Sequence, residues 1–322
     1  MQNQSEGLYR KNRSNSWPPG LFSVPSCQKL LAAAAISEPS RRIIDTALMP
    51  SVAILCLLGT FCAFLGAVAG IGGATVLVPL LLLSGVEPRL AAPLGMITVA
   101  AGSLAAASRQ LDDGVVHHRL GLSVELFASI GTVTGALLSA SISEVWLARM
   151  LGTAALIGAI AAIARKGVRN KPSGIFDDES AGEWPGTLGG TYTLKDAVVP
   201  YQAKNVGFGL GISVFTGIVS GLAGVGGGFM KTPTMSEVMK VPVKVAAATS
   251  TFISGITAST ALLIYGIQGR VEVRPAAAVV LGALIGGFSG ARLQSRLNAS
   301  TVRKMTGLLL AAVAVLVIGG SL

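Results

Sequence analysis

The longest apolar run of the chain, residues 50–86, contains no charged side chain. As a single α-helix it would be about 55 Å long, because an α-helix rises ~1.5 Å per residue. The hydrocarbon core of a bilayer is only about 30 Å thick. The run must therefore break, and "GIGG" at residues 70–73 is where a helix ends most easily. We expect a full-length helix, a glycine break and then a half-length helix.

The composition places the chain in a membrane. Its 322 residues are 51% apolar and 12% charged, and the mean hydropathy is +0.67. A soluble protein carries about 25% charged residues, so this chain has too little charged surface for water. The net charge of +10 comes with only 5% aromatic residues. The basic residues lie between apolar runs, which is typical of membrane loops and argues against nucleic-acid binding.

Ten apolar segments follow one another in two sets of five. The sets are residues 51–70, 74–86, 91–108, 120–142 and 146–164, then 205–224, 228–241, 245–267, 275–292 and 303–320. The expected fold is all-α and polytopic, with two homologous halves of about four transmembrane helices, each half carrying one additional half-helix. The predicted organisation is a disordered basic tail (1–47), a first transmembrane repeat (48–164), a polar linker (165–204) and a second repeat (205–322).

An internal repeat supports the division into halves. With an offset of 154 residues, "GIGGATVLVP" falls on "GVGGGFMKTP". The matched positions are Gly70, Gly72, Gly73 and Pro79 with Gly224, Gly226, Gly227 and Pro233. Duplicated halves are a recurring plan of secondary transporters. If the half-helix is re-entrant, each half crosses the membrane an even number of times, and the tail and the linker lie on the same side of the membrane. If the half-helix is instead a complete fifth crossing, the two repeats are inverted.

The glycine breaks are the first candidate site. Non-helical backbone is tolerated at membrane depth only where it is buried in protein or lines a wet cavity. A half-helix that starts at depth presents free N–H groups and the positive end of its dipole, which favours a small anion. The expected site residues here are the eight matched positions and Gly228. The alternative is that the glycines only permit close helix packing.

Two ionisable residues lie within predicted spans. Lys231 stands where the first repeat has Leu77, and a lysine in a membrane segment is costly unless paired or hydrated. We expect it to complement the anion, with snorkelling to the interface as the alternative. Glu125 is a candidate for ion coupling or for the partner of Lys231. Its alternative is an interfacial carboxylate.

Polar residues also follow the second half-helix, in "AAATSTF". Thr249, Ser250 and Thr251 either line a substrate path or donate to carbonyls of their own helix. The adjacent His117 and His118 are expected in a solvated loop and not at a metal. The spans contain no nucleophile–base pair, metal-ligand set or phosphate-binding glycine loop. No catalytic residue, metal or cofactor is expected, and an enzyme is disfavoured.

These motifs give the chain its resemblance to a known family. "GAVAGIGGATVLVP", "GIVSGLAGVGGGFMKTP" and "VPVKVAAATSTF" resemble the TauE/SafE family of sulfite-exporter-like permeases, over about residues 50–320. The resemblance implies secondary transport of sulfite, sulfoacetate or a related small anion, with the glycines and prolines of both motifs shaping the substrate site. The first motif ends in Ala74 where the family often has a third glycine, so a tighter first break is expected.

Three functional hypotheses follow. The leading one is an ion-gradient-coupled secondary transporter of a small anion. The others are a passive anion channel on the same scaffold and a non-transporting membrane subunit that assembles with a partner. The expected partners are the substrate anion and the lipid bilayer, with no nucleic acid. The expected location is the plasma or inner membrane, with an organellar membrane as the alternative. The oligomeric state is left open.

Overall fold

The computed structural model describes residues 51–139, 141–143, 146, 149, 153, 182–184, 186–194 and 197–320. The predicted tail, most of the predicted segment 146–164 and much of the predicted linker lie outside the described residues. The domain boundaries proposed from the sequence therefore stay predictions.

Nine helices account for most of the described chain. They are α1 (Val52–Ala69), α2 (Ala74–Leu83), α3 (Pro88–Asp112), α4 (His118–Leu138), α5 (Val206–Ala223), α6 (Gly228–Pro233), α7 (Val243–Ile267), α8 (Val273–Arg296) and α9 (Ala299–Gly320). Six of them, α1, α3, α4, α5, α7 and α8, are long and apolar enough to cross a membrane. A mainly helical membrane fold is thus confirmed, with helix bounds within a few residues of the apolar segments.

A small antiparallel sheet departs from the all-helical prediction. Its strands are β1 (Gly182–Glu183), β2 (Gly189–Leu194) and β3 (Ala197–Gln202), in the order β1-β2-β3. Thr191 pairs with Pro200, and Tyr192 pairs with Val199. The strands lie within the predicted polar linker, where alternating Thr and Tyr in "GGTYTL" is a short β-strand signal.

Both glycine breaks end a helix as predicted. α1 stops at Gly70 (φ 70°), and α5 stops at Gly224 (φ 74°), each in the left-handed conformation that glycine adopts without strain. After the second break, α6 reaches Pro233 and passes into a π-helical turn, Thr234–Val238. Proline has no N–H for the regular helical ladder, which accounts for the change of pitch there.

The central helices α3 and α7 run in opposite directions. Arg270, just after α7, donates from Nε to the carbonyl oxygen of Arg89 at the start of α3, at 3.2 Å. Halfway along, a Cβ on Gly255 of α7 would lie 3.1 Å from Cβ of Ser103 in α3. Since α3 and α7 start 155 residues apart, corresponding helices of the two halves cross in opposite senses.

The outer helices follow the same inverted plan. α1 lies parallel to α8, with Gly282 against the Cys56 carbonyl and Gly286 against the Thr60 carbonyl. α5 lies parallel to α4, with Gly217 against the Ala128 carbonyl. Small residues allow these close backbone approaches between membrane helices. In each half the first helix therefore packs against the helix that follows the central helix of the other half, α1 against α8 and α5 against α4.

The directions of the described helices show where each glycine break enters and leaves the bundle. α1 begins at the end of the bundle where α3 begins, and α2 returns the chain to that end. α5 and α6 enter and leave at the opposite end, where Asn205 donates from Nδ2 to the Val238 carbonyl oxygen. The half-helices are thus re-entrant and the repeats are also inverted. The sequence alone leaves the choice between parallel and inverted repeats open.

Candidate functional site

The two glycine breaks touch each other in the middle of the bundle. The Thr232 hydroxyl of α6 donates to the carbonyl oxygen of Gly70 in the first break. A Cβ on Gly228 would lie 2.5 Å from the Ile71 carbonyl oxygen, so only glycine fits at that position. The breaks predicted from the repeat are therefore neighbours, each held against the backbone of the other.

Lys231 and Glu125 form a buried ion pair beside the second break. Nζ of Lys231 lies 2.5 Å from Oε2 of Glu125. The side chains are 0% and 3% exposed, respectively. The sequence makes Glu125 a candidate partner of Lys231, and this ion pair is present in the structure. Both side chains are too deeply buried for Lys231 to snorkel to the interface or for Glu125 to be an interfacial carboxylate. The pair joins α4 to α6.

Two hydroxyl groups complete the network. Thr257 of α7 donates from Oγ1 to Oε1 of Glu125 at 2.7 Å and accepts a hydrogen bond from Nζ of Lys231. Ser129 donates from Oγ to Oε1 of Glu125 at 2.8 Å. Charge-assisted hydrogen bonds of this kind are stronger than neutral ones and offset part of the cost of burying the charges.

Sequence reasoning missed Thr257 and Ser129. Ser129 follows Glu125 by four residues, which places both on one helix face and could have been read from the sequence. Thr257 is 132 residues from Glu125, and no local pattern connects them.

The predicted polar run on α7 is buried, and its hydroxyls have structural partners. Oγ1 of Thr249 accepts a hydrogen bond from the backbone N–H of His117 at 2.9 Å. Ser250 donates from Oγ to the Gly228 carbonyl oxygen at 3.4 Å, and Thr251 donates to the Ala247 carbonyl oxygen at 3.0 Å. The run therefore ties α7 to α4 and to the second break.

The two breaks differ in how much space they leave. Gly73 has ordinary right-handed helical geometry, and a Cβ there would lie 2.8 Å from Cα of Ala63. Gly227 has φ 71°, and a Cβ there would meet nothing closer than 3.4 Å. Pro79 lies buried inside α2 and Pro233 at the end of α6. At this pair of positions the first break is packed against backbone, whereas a Cβ on Gly227 would make only ordinary van der Waals contacts, one of them with Lys231.

The sheet covers the end of the bundle where α4 begins. Nδ1 of His118 lies 2.9 Å from Oε1 of Glu183, and the same carboxylate accepts the backbone N–H of His118. A carboxylate at a helix N-terminus is favoured by the helix dipole. Glu183 thereby attaches β1 to the start of α4.

His117 is buried beneath this sheet, so the expectation that both histidines lie in a solvated loop was wrong. Its ring is 0% exposed and meets the Tyr201 ring of β3 edge-on at 5.8 Å. His118 alone of the two is half exposed. Burial lowers the pKa of His117, and the Glu183 carboxylate 3.5 Å from Nδ1 opposes that shift. Across the described ranges, no group of His, Cys, Asp and Glu is arranged to hold a metal ion.

We expect the docking of this sheet to weaken as the pH falls below about 6.5, the pKa of an unperturbed histidine. Docking lowers the pKa of His117, so the undocked state binds more protons between the lowered pKa and about 6.5. Docking free energy is complete above that window and declines as the pH falls through it. Hydrogen exchange of the β2 and β3 amides between pH 7.5 and 5 measures this. His117→Phe keeps an edge contact with Tyr201 and should remove the dependence. An unchanged pH profile in that variant would assign the effect to another group.

Comparisons with known proteins show the family to which the chain belongs. The family described as Sulfite exporter TauE/SafE matches residues 55–317. The chain belongs to the TauE/SafE family. "Probable membrane transporter protein YunE" of Bacillus subtilis (strain 168) is 29% identical over 267 residues, which cover 78% of this chain and 92% of that protein.

Two shorter matches carry a similar name. They are proteins called "Probable membrane transporter protein" from Xylella fastidiosa strains Temecula1 / ATCC 700964 and 9a5c, 31% and 30% identical over 109 residues. Each match covers 33% of this chain and 42% of the relative. No solved structure matches the chain. As a TauE/SafE protein with six helices long enough to span a bilayer, the chain is an integral membrane transporter.

Proposed function

We propose that the protein is a secondary transporter of a small oxyanion such as sulfite or sulfoacetate, driven by an ion gradient. The observation that carries the proposal is the ammonium group of Lys231, wholly buried beside a broken helix at the contact between the two halves. A buried lysine inside a membrane protein marks a substrate or ion pathway more often than a structural contact. Membership of the family described as Sulfite exporter TauE/SafE supports the sulfite class.

The ion pair supplies a coupling mechanism. In the substrate-free state Glu125 neutralises Lys231. An entering monovalent anion, such as hydrogensulfite, that takes the place of Glu125 at Lys231 leaves two negative charges for one positive charge in a medium where net charge is costly. Protonation of Glu125 restores neutrality. The proposed cycle therefore carries one proton with each monovalent anion, because Glu125 can accept a single proton.

Flux of radiolabelled sulfite into proteoliposomes, with and without a pH gradient, tests this function. We expect saturable uptake that an inward proton gradient accelerates, because Glu125 must be protonated for the anion to occupy Lys231. Sulfoacetate and acetate as competitors report which head group is recognised. Flux that rises linearly with the sulfite concentration and does not depend on the proton gradient would indicate a passive channel. Absence of flux for every anion would favour a non-transporting subunit.

A further inference from the structure

Two buried hydroxyls near Lys231 have no hydrogen-bond partner among the described residues. They belong to Ser220 of α5 and Ser254 of α7, both 0% exposed. Other buried hydroxyls on the same helices donate to carbonyls of their own helix, as Ser213 does to Gly209 and Thr251 to Ala247. Leaving a buried hydroxyl unpaired is unfavourable, and such groups in a native protein point to a ligand.

Both serines lie on helix faces that are directed at the start of α6. A Cβ on Gly227 would lie 3.5 Å from Cβ of Ser220 and 3.4 Å from Cε of Lys231, so these two side chains border the same space. Ser254 lies on α7 between Ser250, which donates to the Gly228 carbonyl, and Thr257, which contacts Nζ of Lys231. Residues three or four apart share a helix face, so Ser254 also points at α6.

Lys231 retains a donor for a ligand. An ammonium group has three N–H donors, and Glu125 and Thr257 are the acceptors within hydrogen-bond distance of Nζ in the described part of the chain. The third donor and the two serine hydroxyls come from three different helices, α5, α6 and α7. Donors from three directions suit an anion with several oxygen atoms.

The first half has no matching set. With the offset of 154 residues, Ser220 corresponds to Gly66 and Lys231 to Leu77, while Ser254 corresponds to Ala100. A Cβ on Gly66 would lie 2.3 Å from the backbone nitrogen of Gly73, so that side of the bundle is filled by backbone. Among the described residues, the buried ammonium group and the unpaired buried hydroxyls therefore lie beside the second break.

We propose that Ser220 and Ser254 donate hydrogen bonds to the transported oxyanion together with Lys231, and that the second break alone supplies the ligands. The first break then forms an apolar wall and contributes shape only. This inference rests on the proposed transport function and assigns the residues that bind its substrate.

Sulfite flux of single variants in proteoliposomes tests the assignment. Ser220→Ala and Ser254→Ala should each raise the apparent KM for sulfite by about ten- to hundredfold, the usual effect of removing a hydrogen bond to a charged group. Neither should lower the thermal stability of the substrate-free protein, because no intramolecular hydrogen bond is lost. Sulfite should also lose most of its ability to raise the melting temperature of these variants.

Matched controls separate ligand binding from packing. Ser213→Ala removes a buried hydroxyl from the same helix as Ser220, and Thr98→Val removes one beside the first break; both hydroxyls donate to their own helix. Their KM for sulfite should stay within about twofold of the wild type, because neither loses a hydrogen bond to a charged group.

Three outcomes overturn the inference. An unchanged KM in both serine variants of a transporting protein refutes it and leaves the proposed function intact. An equal increase in the KM of Thr98→Val for sulfite refutes the claim that the second break alone supplies the ligands. A wild-type protein without saturable anion flux refutes the proposed function, and the inference with it.

Discussion

Replacing Lys231 with methionine is expected to abolish saturable anion flux and to destabilise the protein by about 3–5 kcal/mol. The variant leaves the Glu125 carboxylate, with 3% of its side chain exposed, without its cation. Glu125→Gln should also lower the stability of the protein, because Lys231 then lacks its counter-charge. The double variant Lys231→Met/Glu125→Gln removes both charges and should recover most of the stability without recovering flux.

Thermal unfolding in detergent and sulfite flux in proteoliposomes, measured on all three variants, separate folding from transport. Lys244→Met is the matched control, since Nζ of Lys244 reaches the Ser295 carbonyl oxygen at the surface. It should change stability by less than about 1 kcal/mol, as surface charges do. Normal saturable flux in the folded double variant would exclude Lys231 from the substrate path.

Gly224→Ala is expected to prevent folding of the second break. Gly224 has φ 74°, and its new Cβ would lie 2.4 Å from Cα of Ala92 in α3. The left-handed conformation alone costs a non-glycine residue about 1–2 kcal/mol. Here the clash is with backbone, which cannot move aside as a flexible side chain can, so the total loss should exceed about 3 kcal/mol.

Gly269→Ala isolates the backbone term, because Gly269 has φ 68° and no atom within 4 Å of an added Cβ. We expect it to lower stability by only about 1–2 kcal/mol. Size-exclusion chromatography of both variants after detergent extraction, followed by thermal unfolding, compares them. Equal stability of the two variants would show that α3 does not press against the second break.

The sequence was sufficient for the parts of the fold that depend on local patterns. Apolar segment length and the glycine motifs located the helices and both breaks, because a bilayer limits helix length and left-handed backbone requires glycine. The repeat offset of 154 residues located the second break from the first. The small sheet was missed, because a polar stretch with glycine and proline is read as a loop when its strands are only two to six residues long.

The contacts between distant segments could not be predicted in the same way. Lys231 and Glu125 are 106 residues apart, and either could have reached the membrane surface instead. Charge counts could not fix the repeat orientation, because they assume that each long helix crosses by itself, and α1 turns back with α2. The unpaired hydroxyls of Ser220 and Ser254 can be recognised only from the structure, once the hydrogen-bond partners of the other buried hydroxyls are known.

Because α1 packs against α8 and α5 packs against α4, the two halves pack into each other and do not form separate domains. α1 finds its main neighbour in α8, which starts more than 200 residues later in the chain. During synthesis α1 must stay in the bilayer without that neighbour until nearly the whole protein has been inserted. Long-range contacts of this kind slow folding and prolong the time in which an unpaired helix face is open to wrong partners. Neither half can reach its native packing when it is made alone, and a protein split within the linker should assemble only when both pieces are produced together.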